Sequence, residues 1–433
     1  MSIDTGATPA NLPSFQEAFR FWLKLGFISF GGPAGQIAIM HRELVDRRGW
    51  ISESRFLHAL NFCMFLPGPE ATQLAIYIGW LLHGTKGGIV AGTLFVLPSI
   101  VVLWSLSFLY VSFAGLGWVA AVFYGLKAAV VAIVAHAMVR IAKRSLKNAA
   151  FVAIALLAFV ALFFLDAPFP LVILGAGLIG LLGGLTRPDV FGQPRDARDA
   201  GRTYSGASRR VPTVSRSLRV VGFCLILWWG PVIVIGLAFG WDNVLIREAV
   251  FFSKAAMVTF GGAYAVLPYV AQQAVERFGW LSTTQMVDGL GLAETTPGPL
   301  IMVVLFVGFL AGWNNPGQFT PLGMATAGGL ITTWVTFVPC FMWIFLGAPH
   351  VERLYGNQRL ATTLAAITAA VVGVVANLSV WFAGHVIVPA GHLDPFALGI
   401  ALVTLVGLIR WNWGVVPVVL ASGLVGLVYR LVA

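Results

Sequence analysis

Phe65-Leu66-Pro67-Gly68-Pro69-Glu70-Ala71-Thr72-Gln73 and Thr295-Thr296-Pro297-Gly298-Pro299 lie at a register of 230, and each interrupts a long apolar run. Proline lacks an N–H and clashes with the preceding helical turn, so two prolines flanking a glycine break a helix. In lipid the freed backbone groups cost several kcal/mol each unless protein or a water-filled cavity satisfies them. Two such breaks at matched places therefore point to a purpose. Pro69 and Pro299 suit the first position of a new helix. Its N-terminus presents free N–H groups and about half a positive charge. Two of these ends facing one another would form an anion site; the competing reading is a pair of re-entrant kinks that hold nothing. Thr72, Gln73, Thr295 and Thr296 flank the breaks and offer hydrogen bonds to oxygen atoms.

The same register of 230 pairs Phe30-Gly31-Gly32 with Phe260-Gly261-Gly262, and Gly49-Trp50 with Gly279-Trp280. Lys24 and Lys254, Arg47 and Arg277, and Ser52 and Ser282 keep it as well. Later matches, Pro98 with Pro339 and Ala128-Ala129 with Ala369-Ala370, are 241 apart. The extra residues are expected in the Asn-, Pro- and Gly-rich loop at 313–322. A series in constant register marks an internal duplication.

Outward from the duplication, the chain reads as lipid-embedded. Of its 433 residues 58% are hydrophobic and only 10% charged, whereas a soluble domain carries roughly 25% charged residues. So few charges cannot cover a surface facing water. Apolar runs fall at about 15–35, 56–82, 88–113, 117–139, 150–165, 171–186, 220–240, 248–271, 282–312, 322–347, 361–386, 396–409 and 413–431. The expected fold is an all-α polytopic membrane protein with broken or re-entrant helices and about 10–13 transmembrane segments. The net charge of +10 does not indicate nucleic acid, because the basic residues cluster beside apolar segments, as the positive-inside rule requires.

Arg140, Lys143, Arg144 and Lys147 follow one span, and eight Arg lie between Arg187 and Arg219, so both stretches are assigned to the cytoplasm. Residues 149–186 form a hairpin between them. The organisation is then a first membrane repeat at 1–186, a basic linker at 187–219, a lone connecting helix at 220–240 and a second repeat at 241–433. One extra crossing makes the repeats inverted, the arrangement of many secondary transporters. Residues 40–55, with His41, Arg42, Glu43, Asp46, Arg47 and Arg48, read as an interfacial helix. A full crossing by 15–35 would put these arginines outside, against the positive-inside rule; entry and return by 15–35 is the alternative.

Charges inside apolar runs are functional by default. Lys24 and Lys254 either balance an anion or snorkel to the interface. Lys127 sits mid-segment as a buried cation. Glu70 and Glu294 flank the breaks and are the candidate proton carriers. The paired glycines Gly31, Gly32, Gly261 and Gly262 serve either close approach to a ligand or tight helix packing. Cys63, Cys224 and Cys340 read as small apolar residues, the seven His show no metal spacing, and no cofactor motif or catalytic constellation supports an enzyme.

On these residues the chain resembles the long, two-domain chromate ion transporter family. The resemblance rests on Phe30-Gly31-Gly32-Pro33, Gly35-Gln36, Gly49-Trp50, Phe65 to Pro69 with Thr72-Gln73, and Gly79-Trp80. In the second half it rests on Thr259 to Tyr264, Val266-Leu267-Pro268 and Thr295 to Pro299. It implies a secondary transporter of the bacterial inner membrane that exports chromate, a tetrahedral dianion, and so gives chromate resistance. The motifs by themselves imply only an ion, with sulfate or another oxyanion as the alternative cargo. Expected partners are a chromate- or sulfate-like oxyanion, the lipid bilayer and, as an open case, a second copy in a homodimer.

Overall fold

The computed structural model describes residues 12–113, 115–191, 214–350 and 358–432. Among these residues there are helices and turns and no strands. Most of the linker expected at 187–219 lies outside them.

The first part comprises α1 (Phe15–Ile28), α2 (Gly32–His41), a π-helical turn (Arg42–Arg47), α3 (Glu53–Met64), α4 (Glu70–Phe113), α5 (Gly117–Ser145), α6 (Ala149–Phe163), α7 (Phe169–Thr186) and the short α8 (Pro188–Phe191). The isolated α9 (Val214–Phe239) follows. The second part comprises α10 (Val244–Val258), α11 (Ala263–Gln272), a π-helical turn (Gln273–Arg277), α12 (Thr283–Thr295), a 3-10 turn (Leu300–Met302), α13 (Val303–Asn314), α14 (Pro321–Gly347), α15 (Gln358–Val386), α16 (Pro395–Arg410) and α17 (Val415–Val432). Seven described helices are long and apolar enough to span a bilayer, and three shorter apolar ones accompany them. The chain is an all-α, multi-pass membrane protein.

Each of the four apolar runs that carries a Gly-Gly or Pro-Gly-Pro element is broken there. The run at 15–35 divides into α1 and the start of α2, and the run at 248–271 into α10 and α11. At 1.5 Å per residue α1 and α12 reach only about 20 Å, short of a ~30 Å hydrocarbon core. The ends of the broken pieces lie together. His83 Nε2 meets Pro13 O at 3.0 Å, joining the interruption of α4 at His83-Gly84 to the entry of α1. In the second part Asn314 Nδ2 donates to Trp280 O at 2.8 Å, so α12 and α13 start and finish on one side. A hairpin that turns back inside the membrane satisfies the rule that irregular backbone at depth must be enclosed by protein.

The two parts are interwoven. The α6–α7 pair packs on α15 of the second part, while α16 and α17 pack on α5 of the first. Small residues permit this closeness: a Cβ on Gly125 would stand 1.9 Å from Ser422 O, and one on Gly373 2.1 Å from Ala155 O. Their outer faces, including Leu156, Leu174, Val403 and Leu424, are exposed. α9 exposes Phe223, Ile226 and Leu237. Such an apolar exterior requires lipid.

The segment at 40–55 is not one amphipathic helix. It closes through the π-helical turn, where the Arg47 guanidinium bonds Glu43 at 2.6 Å and the Arg48 guanidinium lies 4.9 Å from the Trp50 ring. Trp50 N–H then donates to Leu44 O at 2.9 Å, as Trp280 N–H does to Ala274 O at 2.8 Å.

Candidate functional site

The four interruptions meet through reciprocal hydrogen bonds. α1 ends at Ser29, whose hydroxyl returns to Leu25 O at 2.6 Å; α10 ends at Thr259, whose hydroxyl returns to Ala255 O at 2.6 Å. These bonds leave each terminal carbonyl for an outside donor. Gly68 N–H donates to Thr259 O and Gly298 N–H donates to Ser29 O, both at 2.7 Å. Each Pro-Gly-Pro loop is thereby strapped to the helix end that precedes the Phe-Gly-Gly element of the other part.

The loops are backed as well as strapped. Ser99 Oγ donates to Pro297 O at 2.6 Å, and Gln36 Nε2 donates to Gly298 O. Gln73 Nε2 donates to Pro67 O at 2.8 Å. Gly68 and Gly298 have φ of +125° and +98°, values that L side chains rarely adopt. A Cβ on Gly298 would lie 1.6 Å from Ser99 Oγ; one on Gly68 would lie 3.2 Å from Cys340 Sγ. Ser99 and Cys340, at the later register of 241, thus stand behind opposite loops.

Several polar atoms around the loops lack a protein partner. Thr72 Oγ1, Gln36 Oε1 and Gln73 Oε1 are buried and unpartnered among the described residues. Thr295 and Thr296 are engaged, their hydroxyls donating to Leu292 O at 2.8 Å and Ala293 O at 3.0 Å as α12 ends. Pro69 and Pro299 fall one position earlier than expected, just before the first helical residues Glu70 and Leu300. The second loop leads into a 3-10 turn rather than directly into an α-helix.

Two carboxyls adjoin this centre from different parts. A Cβ on Gly262 would stand 3.4 Å from Glu70 Oε1. Glu294 Oε1 accepts from Tyr264 Oη at 2.6 Å, and a Cβ on Gly32 would be 3.8 Å from the same hydroxyl. Arg140 of α5 lies beside Tyr264 and Glu294. Gly31, Gly32, Gly261 and Gly262 all have positive φ, between +67° and +93°. Lys24 and Lys254 are exposed on α1 and α10, whereas Lys127 is half-buried and its charge acts on Asp288.

A family profile described as "Chromate transporter" matches residues 16–181 and 246–427, covering both parts. The chain belongs to the chromate transporter family. Among similar members, a chromate transport protein of Pseudomonas aeruginosa is 31% identical, the alignment covering 98% of this chain and 95% of that protein. One from Cupriavidus metallidurans is 29% identical over 96% of this chain and 93% of its own length. A probable chromate transport protein of Synechococcus elongatus is 29% identical over 84% and 83%. No solved structure shows a significant match. The two stretches matched to the chromate transporter family begin just inside α1 and α10 and leave α9 between them.

Sequence reasoning missed Ser99, Asp288 and Glu248, and quoted Tyr264 within a family motif without giving it a role. Asp288 is an acid inside an apolar run, a signal that was there to read. Glu248 is fully buried, both its oxygens are unpartnered among the described residues, and Oε2 would stand 3.0 Å from a Cβ on Gly328. At the register of 230 its counterpart is Ala18, also buried. The carboxyl is therefore not part of the duplicated pattern. Glu248→Gln keeps the volume and breaks no partnership. The expected thermal midpoint in detergent equals or exceeds that of the parent chain; a clear drop would make the acid structural.

Proposed function

We propose that this chain is a secondary transporter that carries chromate out of the cell through the centre where the two Pro-Gly-Pro loops and the two Gly-Gly turns meet. The observation that carries this reading is the reciprocal strap, Gly68 N–H to Thr259 O and Gly298 N–H to Ser29 O. It joins four irregular segments at depth, where a membrane protein maintains such backbone only against protein or around a cavity. The unpartnered Thr72 hydroxyl supplies a donor for a tetrahedral oxyanion, and the Nε2 groups of Gln36 and Gln73 hold the loops that surround it. Chromate as the cargo follows from the names of the relatives.

The sidedness fits two inverted units, 1–186 and 241–433, with 187–219 as a cytoplasmic linker and 220–240 as the connecting span. Turning back of α1 and α2 leaves Arg42, Arg47 and Arg48 on the side of Arg140, Lys143 and Arg144, in keeping with the positive-inside rule. In an inner membrane with a negative cell interior, a leaving dianion gains about 4.6 kcal/mol per 100 mV, twice the value for one charge. The membrane potential alone then drives export, and one proton leaving with the dianion would bring the gain to about 2.3 kcal/mol per 100 mV. Glu70 and Glu294 add a proton link, because a dianion beside two carboxyls is held best when those carboxyls carry protons.

The test is flux from proteoliposomes loaded with chromate, at imposed voltage and pH gradients, with sulfate as competitor. Efflux should accelerate when the loaded compartment is made negative and should slow when protons are withdrawn on the loaded side. Equal inhibition by equimolar sulfate would replace chromate by a general oxyanion cargo. Flux indifferent to voltage would remove the electrogenic mechanism.

A further inference from the structure

A second polar cluster lies outside the loop centre. Asp288 on α12 is 3% exposed, and its Oδ2 accepts from Tyr110 Oη of α4 at 2.9 Å. Its Oδ1 has no hydrogen-bond partner among the described residues. Lys127 on α5 is close enough for its charge to act on the carboxylate, without a direct salt bridge among the described residues. Of the elements packed against α12, α4 contributes Tyr110 and α5 contributes Lys127. The 3-10 turn, α13, α15 and α17 bring no other charged or titratable group to bear on Asp288 among the described residues.

The surroundings hold this geometry in place. The Tyr110 ring is boxed edge-on by Phe123 at 5.2 Å and Phe306 at 5.3 Å. Leu126, the neighbour of Lys127, presses on Gly291 of α12, where a Cβ would stand 1.9 Å from its Cδ2. Apolar walls strengthen every charge interaction inside them. A bare carboxylate oxygen is costly in such a place unless a proton or a cation neutralises it. Asp288, Leu292 and Thr295 recur at the i, i+4 and i+7 positions of one face, and Thr295 adjoins the second Pro-Gly-Pro loop. The separation along the helix is about 10 Å.

We propose that Asp288, with Tyr110 and Lys127, is a proton-binding station that loads and unloads the proton accompanying the anion, about two helical turns from the loop centre along the same face of α12. Asp288 Oδ1 takes up a solvated proton from the side where the anion loads and returns it to solvent on the side where the anion leaves, and the Lys127 ammonium balances the carboxylate in between. Tyr110 holds Oδ2 throughout, so the proton is exchanged at Oδ1. The station rests on the proton-linked reading given above and supplies that reading with a residue remote from the anion.

Asp288→Asn in proteoliposomes tests it, with two readouts: proton movement followed by an internal pH dye as chromate crosses, and chromate–chromate exchange at equal pH. The parent chain should show both. The Asn variant should lose the proton signal by at least about tenfold while exchange stays within about twofold. A retained proton signal overturns the station. Loss of exchange in a monodisperse variant also overturns it, by placing Asp288 on the anion path. No proton signal in the parent chain overturns the proton-linked reading itself, and is thus a distinct result. Should Asp288→Asn fail to fold, Tyr110→Phe carries the test, because it removes one hydroxyl and keeps the ring between Phe123 and Phe306. Its proton signal should fall, and an unchanged signal counts against the proposal.

Discussion

Gly298→Ala should reduce chromate flux by at least about a hundredfold and cost at least about 3 kcal/mol of stability. Two effects combine at this position. The backbone is held at a φ of +98°, where any L side chain is strained. The new methyl would also stand 1.6 Å from Ser99 Oγ and 2.9 Å from Ser99 Cβ. Ser99 cannot yield cheaply, because its hydroxyl is committed to Pro297 O at 2.6 Å. Either the loop moves away from Ser29 or the serine abandons the proline carbonyl. Gly279→Ala is the control. That glycine also has a positive φ, +59°, but no atom lies within 4 Å of the Cβ position. It should cost only about 1–2 kcal/mol, the left-handed penalty alone, and leave flux nearly unchanged. The pair is measured by flux in proteoliposomes and thermal midpoints in detergent. Equal effects at the two glycines would mean that φ, rather than the seat against Ser99, controls the loop.

Gln36→Leu combined with Ser99→Ala should inactivate the transporter while leaving it inserted. The two substitutions strip Gly298 O and Pro297 O of their side-chain donors. A buried carbonyl deprived of its partner costs about 1–3 kcal/mol, so the pair should cost about 2–6 kcal/mol if the sites act independently. They share one loop, and their effects should therefore couple in a double-mutant cycle. Insertion depends on the long apolar spans: Gln36 lies outside them, and Ser99→Ala makes the Glu70–Phe113 span more apolar. Gln73→Leu makes the corresponding test on the first loop, where it removes the bond to Pro67 O. Normal flux in the double variant would show that the straps from Ser29 and Thr259 hold the loops unaided.

Much of this was legible along the chain, for local reasons. Pro67-Gly68-Pro69 and Pro297-Gly298-Pro299 cannot remain helical, and the breaks fall there. The Gly-Gly pairs end α1 and α10 as their backbone freedom suggests. Lys24 and Lys254 looked like possible anion partners because they are cations in apolar runs, yet both are exposed. A linear pattern does not say which face of a short helix is covered. Lys127 looked like a buried cation, and the group its charge acts on, Asp288, lies 161 positions away (288 − 127). Thr295 and Thr296 looked free to bind oxygen, but the end of α12 uses their hydroxyls.

Composition, the constant register of 230 and helix-breaking chemistry are properties of the chain itself. They sufficed for a lipid-embedded helical protein with two matched, interrupted parts. The crossing of those parts was not contained in any segment: Gly68 meets Thr259, Gly298 meets Ser29, and Glu70 meets Gly262 only after folding. Helices, turns and apolar spans follow from neighbours in sequence, because steric clash, desolvation and backbone hydrogen bonding act locally. Which buried polar atom finds which partner is decided by packing across roughly two hundred residues, and that packing is what brings the loops, the carboxyls and Asp288 to their places.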